Sequence, residues 1–136
     1  MSNENVEIAK RALDAYNRRD LDGLLESATE DYVMLPAVAG GIEGERVRGR
    51  GGMERQFREV EDTWAEFRLL PEEWRDLGDR VLMLGRVQGR GRGSSVPVDS
   101  HVGFVIDFRG GKLSRVRSFL DHGEALRAAG LAEEGG

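Results

Sequence analysis

The sequence predicts an α+β fold: a curved antiparallel sheet wrapped around helices that come mainly from the N-terminal half. Three observations carry this. Helical spacing of apolar residues dominates up to about residue 64, and alternation dominates after it. The later strands are joined by short connections, which suits antiparallel neighbours and an α+β rather than a parallel α/β layout. The chain has 136 residues, 39% hydrophobic and 33% charged, enough for a single domain (1–136, core about 4–131) with one core and no internal repeat.

The elements follow in order. Over residues 4–18, Val6, Ala9, Leu13 and Tyr16 form one helical stripe that Ile8 and Ala12 widen. Asp20 suits the N-cap of a second helix, LDGLLESA, with Leu21, Leu24, Leu25 and Ala28 inward. DYVMLPAV (31–38) is β-favouring and ends near a proline, so it reads as a strand. The Gly-rich, charged AGGIEGERVRGRGG reads as a loop. A third helix starts at Gly52, with Met53, Phe57, Val60 and Trp64 on its buried face. Four strands are predicted after it. The first, 66–78, is interrupted by Pro71, which marks an edge or a bulge; the others are 79–91, 96–108 and 112–121. RGG at 109–111 makes a tight turn. A short last helix, GEALRAAG, ends with Gly130 at the C′ position.

Composition excludes several functions. The net charge of −5 argues against a general nucleic-acid binder. GRVQGRGRGSS, around Arg86, Arg90 and Arg92, is too short and too poor in aromatic residues for an Arg-Gly RNA segment, and apolar strand frames it. With no cysteine and two histidines there is no disulfide, thiol nucleophile or His-rich metal site, and no cofactor is expected. No apolar run approaches the roughly 18 residues of a membrane span. The opening MSNENVEIAKRAL lacks the apolar stretch of a secretory leader, so a cytoplasmic protein is the expectation.

NVEIAKRALDAYNRRDLDGLLESATEDYVML resembles the opening of the SnoaL-like branch of the NTF2-like superfamily, in which a helix, an Asn-x-x-Asp-Leu turn, a helix and a strand follow one another. RGRGGMERQF is similar to the loop and third helix of that group. GDRVLMLGRVQGRG and RGGKLSRVRSFLDHGEAL look like its sheet strands. The resemblance covers roughly residues 4–131. It implies a cone, with an apolar pocket opening at the wide end, and dimerisation through the outer sheet face. The fold hosts unrelated activities, so the residues must carry the functional reading.

Strand alternation, combined with the hairpin pattern of the resembled family, places the Leu82, Phe104 and Val116 sets inside. The expected pocket is then Tyr32, Met34, Phe57, Trp74, Leu84, Arg86, Phe104, Val116 and Ser118. Arg86, one step beyond Leu84, would face the cavity, where a guanidinium suits an anionic oxygen. The expected ligand is a small hydrophobic molecule with a carboxylate or other acidic oxygen, although a strand leaving the core at Arg86 would instead release it to solvent. His101, opposite in parity to Phe104, falls on the outer face. Val81, Met83, Val87, Val105 and Phe119 would make that face apolar, which a homodimer would cover.

The chemistries implied by the resemblance do not transfer. The steroid-isomerase tyrosine falls on Ala12, its base near Leu35 or Pro36, and its second acid near Gly103 or Phe104. An epoxide-hydrolase pattern from Arg86 meets Gln88 where an aspartate is needed. The inward acid of polyketide cyclases is replaced by Ser118, which cannot abstract a proton by itself. Asp121, His122 and Glu124 read as an N-cap, and Tyr16 as core. The expectation is a ligand-binding SnoaL-like protein, with a dimeric interaction protein or an isomerase-like or cyclase-like enzyme of atypical site as alternatives.

Overall fold

In a computed structural model of the chain, residues 3–35, 47–94 and 96–131 are described. Helix α1 (Asn3–Asn17) and helix α2 (Leu21–Glu26) are followed by strands β1 (Ala28–Leu35) and β2 (Val47–Arg48). Next come α3 (Gly49–Thr63), β3 (Trp64–Asp76), β4 (Arg80–Gly91), β5 (Pro97–Arg109), β6 (Lys112–Phe119) and α4 (His122–Ala128). The sheet has six strands in the order β2-β1-β6-β5-β4-β3.

All of its ladders are antiparallel except one. β1 and β6 run parallel, with Met34 opposite Val116, because the chain leaves β1 and comes back beside it only after α3 and three further strands. Two expectations shift at the start of α3. Residues 47–48 leave the predicted loop to pair with β1, and the helix begins at Gly49 rather than Gly52. Residues 36–46, which include the end of the predicted 31–38 strand and most of that loop, lie outside the described residues.

The two turns around α2 show why the Asn-x-x-Asp-Leu stretch folds as it does. Asp20 accepts from the Gly23 amide at 3.0 Å and caps α2. Arg19 takes a left-handed φ of 59°, and its guanidinium donates to the carbonyls of Tyr16 and Phe67 at 2.6 and 3.0 Å. Asn17 acts as a short extra strand residue. Its Nδ2 donates to the Leu69 carbonyl and its Oδ1 accepts from the Leu69 amide, both at 2.9 Å, so α1 is sutured to edge strand β3. Asn17→Ala removes both bonds, each worth about 1 kcal/mol. The expected loss is about 2 kcal/mol in urea unfolding, and an unchanged midpoint would show that the suture contributes nothing.

The faces of β4 are the reverse of those expected. Cross-strand partners share a face, and Met83 lies opposite Phe104 and Val81 opposite Ile106. Val81, Met83 and Val87 therefore point into the main core with α1 and α3. Leu82 and Leu84 point outward, where α4 covers them together with Val105 and Ala125. The helix can lie this close because Gly103 has no side chain: a Cβ there would stand 2.6 Å from that of Ala125. Asp121 caps α4 by accepting from the Gly123 and Glu124 amides, as the sequence suggests.

The apolar outer face expected to drive dimerisation is thus split. Val81, Met83 and Val87 are internal, and Val105 is buried in the cluster beneath α4. Beyond α4 the outer face of β4 and β5 is polar. Arg86 pairs with Asp99 at 2.7 Å, Gln88 joins it at 3.0 Å, and Arg80 pairs with Asp107 at 2.9 Å. Hydrogen bonds from Arg86 and then Gln88 hold the Asp99 carboxyl below the usual carboxylate range. Arg90 pairs with Glu66, and Arg92 donates to the Glu61 carbonyl. Every arginine of the basic stretch is tied to the folded body.

Candidate functional site

Between α1 and the concave side of the sheet lies an apolar cavity of about 40 Å³. The helical stripe predicted for α1 supplies Ala9, Ala12, Leu13 and Tyr16, and α2 adds Leu24. From the sheet come Tyr32, Met34, Leu69, Trp74, Phe104, Ile106, Leu113 and Val116. Leu113 and Val116 reach the same wall across a register shift between Asp107 and Phe108, where the Ser114 hydroxyl donates to the Asp107 carbonyl.

Five of the nine expected pocket residues line the cavity: Tyr32, Met34, Trp74, Phe104 and Val116. Phe57 stands one layer behind, packed edge-on against Tyr16 with ring centroids 5.4 Å apart. Ser118 lies on the inward face opposite Phe104 but not on the cavity wall, and its buried hydroxyl has no hydrogen-bond partner among the described residues. Leu84 and Arg86 are on the opposite side of the sheet. Arg86 lies opposite His101 in the ladder and spends its guanidinium on Asp99, so it offers nothing to a molecule inside the cone.

The polar groups of the interior are neutral. Tyr16 and Tyr32 are the lining residues that carry hydroxyls. Tyr16 donates to Gln56 Oε1 at 3.2 Å. Gln56 is only 2% exposed, and its Nε2 has no hydrogen-bond partner among the described residues. Tyr32 is as deeply buried and makes no side-chain hydrogen bond among the described residues. Burial is the main cause that raises both phenol pKa values above the ordinary one, and Tyr16 adds to the effect on Tyr32. Both therefore stay protonated donors at ordinary pH.

Sequence reasoning overlooked Gln56, yet a signal existed. Gln56 sits three residues after Met53 and four before Val60, so it is a polar residue on an otherwise apolar buried stripe. His101 is on the outer face as expected. It stacks on His122 at 4.5 Å, and His122 Nε2 lies 2.9 Å from the Gly85 carbonyl and 3.2 Å from that of Val102. Among the described residues no group of three or more His, Asp or Glu could hold a metal, and no helix is long and apolar enough to cross a membrane.

The fold has counterparts elsewhere. Residues 9–116 match the family model of the SnoaL-like domain. The chain belongs to that family. This SnoaL-like domain is also similar to solved structures of the NTF2-like superfamily. An NTF2-like protein from Burkholderia xenovorans is 27% identical, with 93% of this chain and 95% of that one covered and a TM-score of 0.75. TerC, co-crystallised with polyporic acid, is 22% identical over 93% of this chain and 97% of its own, with a TM-score of 0.77. A protein with a ketosteroid isomerase-like fold from Catenulispora acidiphila, in complex with trimethylamine, is 16% identical over 92% and 93%, with a TM-score of 0.73. A search of curated proteins finds no match.

In this SnoaL-like domain Ala12 and Phe104, two of the positions where a steroid isomerase would carry its tyrosine and second acid, are part of the apolar wall. Pro36, one of the two positions considered for the base, lies outside the described residues, and Leu35 ends β1.

Proposed function

We propose that this domain binds a small, mainly apolar molecule in the cavity between α1 and the sheet. The observation that carries this is the composition of the wall. It is aliphatic and aromatic throughout, with Tyr32 presenting a hydroxyl that no neighbour among the described residues uses. A few polar groups in an apolar concavity are the usual make-up of a small-molecule site. Similarity in fold to proteins solved with polyporic acid and with trimethylamine supports the same reading.

Binding is favoured over turnover. No carboxylate or imidazole lines the cavity among the described residues, and a phenol held protonated by burial is a poor base. The acidic ligand expected from Arg86 loses its anchor with that residue on the outer face.

The cavity at about 40 Å³ holds little more than a water or two, whereas an apolar cavity of about 150 Å³ admits benzene. A ligand must therefore displace side chains, and half-buried Trp74 and flexible Met34 are suited to yielding. Trp74→Ala is expected to strengthen the binding of benzene-sized neutral probes about tenfold, measured by calorimetry. Ala12→Trp, which fills the space, is expected to abolish it. Failure of every such probe to bind either the wild type or Trp74→Ala would sink the reading.

A further inference from the structure

Two rows of side chains cross the outer face of the sheet at its β2-β1-β6 end. Cross-strand partners share a face, so the ladder gives both rows. In the first, Arg48 lies opposite Val33, Val33 opposite Arg115, Arg115 opposite Asp107 and Asp107 opposite Arg80. In the second, Leu35 lies opposite Arg117 and Arg117 opposite Val105. Burial agrees with this placement. Their chain neighbours Val47, Met34 and Val116 are buried inward, whereas Arg48 and Arg115 are exposed and Val33 and Leu35 half-buried.

The charges in these rows do not balance. Arg80 engages the Asp107 carboxylate at 2.9 Å, and Arg109 takes Asp31, two residues before Val33, at 2.6 Å. Arg48, Arg115 and Arg117 have no carboxylate partner among the described residues. Arg117 is also half-buried, and its Nε has no hydrogen-bond partner among the described residues. Burial first, and then Arg115, hold its pKa below the ordinary arginine value; Asp107 opposes this and Arg80 adds to it. Guanidiniums this close repel one another, and a buried donor left unmet costs more than a typical bond contributes. In a chain of net charge −5, such a concentration of positive charge calls for an anion from outside.

The layout selects the anion. Strands stand about 4.8 Å apart, so Arg48 and Arg115 flank Val33 from strands about 10 Å apart, and Arg117 stands about 7 Å further along β6. Val33 is short, and the longer arginines rise on either side of a floor made by Val33 and Leu35. Each guanidinium offers a fork that matches carboxylate or phosphate oxygens. One carboxylate answers one fork and leaves two charges unmatched. A phosphate monoester brings about two negative charges and three acceptor oxygens. The aliphatic floor suits the apolar part of such an ester. Neither row contains the aromatic residues on which nucleic-acid bases stack.

We infer that this end of the outer sheet face binds the phosphate group of a small phosphate monoester, held by Arg48, Arg115 and Arg117 over Val33 and Leu35. The site lies across the sheet from the apolar cavity and does not depend on the reading of that cavity.

The test compares phenyl phosphate with benzenesulfonate, a monoanion of similar shape, by calorimetry at low ionic strength. Phenyl phosphate is expected to bind roughly tenfold more tightly. Arg48→Gln and Arg115→Gln, both at exposed positions, are each expected to weaken phenyl phosphate about tenfold. Arg86→Gln removes the same charge from the same face outside the site and should leave the affinity within about twofold. Arg117→Lys keeps the charge but loses the fork, and is expected to weaken binding about fivefold, which a diffuse field of charge would not produce. The two exposed variants carry the test even where Arg117→Lys fails to fold.

Absence of phenyl phosphate binding, equal affinity for the sulfonate, or equal weakening by Arg86→Gln overturns the inference. So does an oligonucleotide that binds more tightly than phenyl phosphate and is released by Arg115→Gln, which would make the surface a nucleic-acid platform. A dimer in solution that Arg115→Gln dissociates would put a second copy of the chain on the rows and overturn it as well.

Discussion

Gly85→Ala is expected to destabilise the domain by about 3 kcal/mol or more, although it adds a single methyl group. The reason lies in how tightly β3 folds across β4. A Cβ on Gly85 would fall inside contact distance of the Leu70 carbonyl oxygen and 3.0 Å from the Pro71 Cα. Both are backbone atoms, so no side chain can swing aside. The crowding coincides with the register shift between Pro71 and Glu73, where β3 bulges and the sheet bends to close the cone. Gly51→Ala is the matched control. Nothing lies within 4 Å of its added methyl, and it sits exposed in α3, where alanine is the better helix former. Gly51→Ala is expected to be neutral or stabilising by about 0.5 kcal/mol. Urea unfolding of the two variants checks both signs. Equal effects would mean that the approach of β3 to Gly85 is not what shapes the cone.

Much of this architecture is written locally. The α1 stripe, the Asp20 and Asp121 caps and the Gly110–Gly111 turn, with both φ values positive, each depend on residues a few positions apart. Pro71 marks an edge strand because a residue without an N–H cannot sit in a central ladder. What stays illegible is set by distant partners. The parallel pairing of β1 with β6 joins residues some eighty positions apart, and β2 is two residues whose strand character comes wholly from β1. The orientation of β4 fails for a different reason. Val81, Leu82, Met83 and Leu84 are all apolar because α4 buries the outer face as the core buries the inner one, so alternation, the signal used to orient a strand, is absent.

That one ambiguity moved the proposed chemistry. With Leu84 inside, Arg86 follows it inside and the pocket asks for an acid. With Met83 inside, Arg86 lies outside on Asp99, and the interior polar groups are the neutral Tyr16, Tyr32 and Gln56, so the pocket no longer asks for an acid. Tyr16 and Gln56 read as core and as nothing in particular at the level of sequence, since a polar side chain on a buried stripe acquires meaning only when its partner on another helix is known.

Met83→Ala and Arg86→Met separate these two geometries by stability alone. Met83 has no solvent exposure and lies among the main core residues with Phe104 opposite. Truncating it removes buried methylene and sulfur contacts and leaves a void next to the cavity, and such changes cost about 2–5 kcal/mol. Arg86→Met removes an exposed ion pair from the outer face, where screening and side-chain entropy leave little net effect, so the midpoint is expected to stay nearly unchanged. The ligand readout divides them as well. Arg86→Met should leave the binding of benzene-sized neutral probes as in the wild type, whereas an arginine inside the cone would have made that substitution the most damaging one to binding. Leu84→Ala completes the set. It should be as destabilising as Met83→Ala, because Leu84 is buried beneath α4, yet leave the affinity of the folded protein for the same probes intact. A large stability loss at Met83 and Leu84 together, with binding sensitive to neither Leu84 nor Arg86, is the pattern that a strand buried on both faces and an inward Met83 require. The reverse pattern, with Arg86→Met abolishing binding and Met83→Ala tolerated, would restore the acidic-ligand pocket and overturn the face assignment of β4.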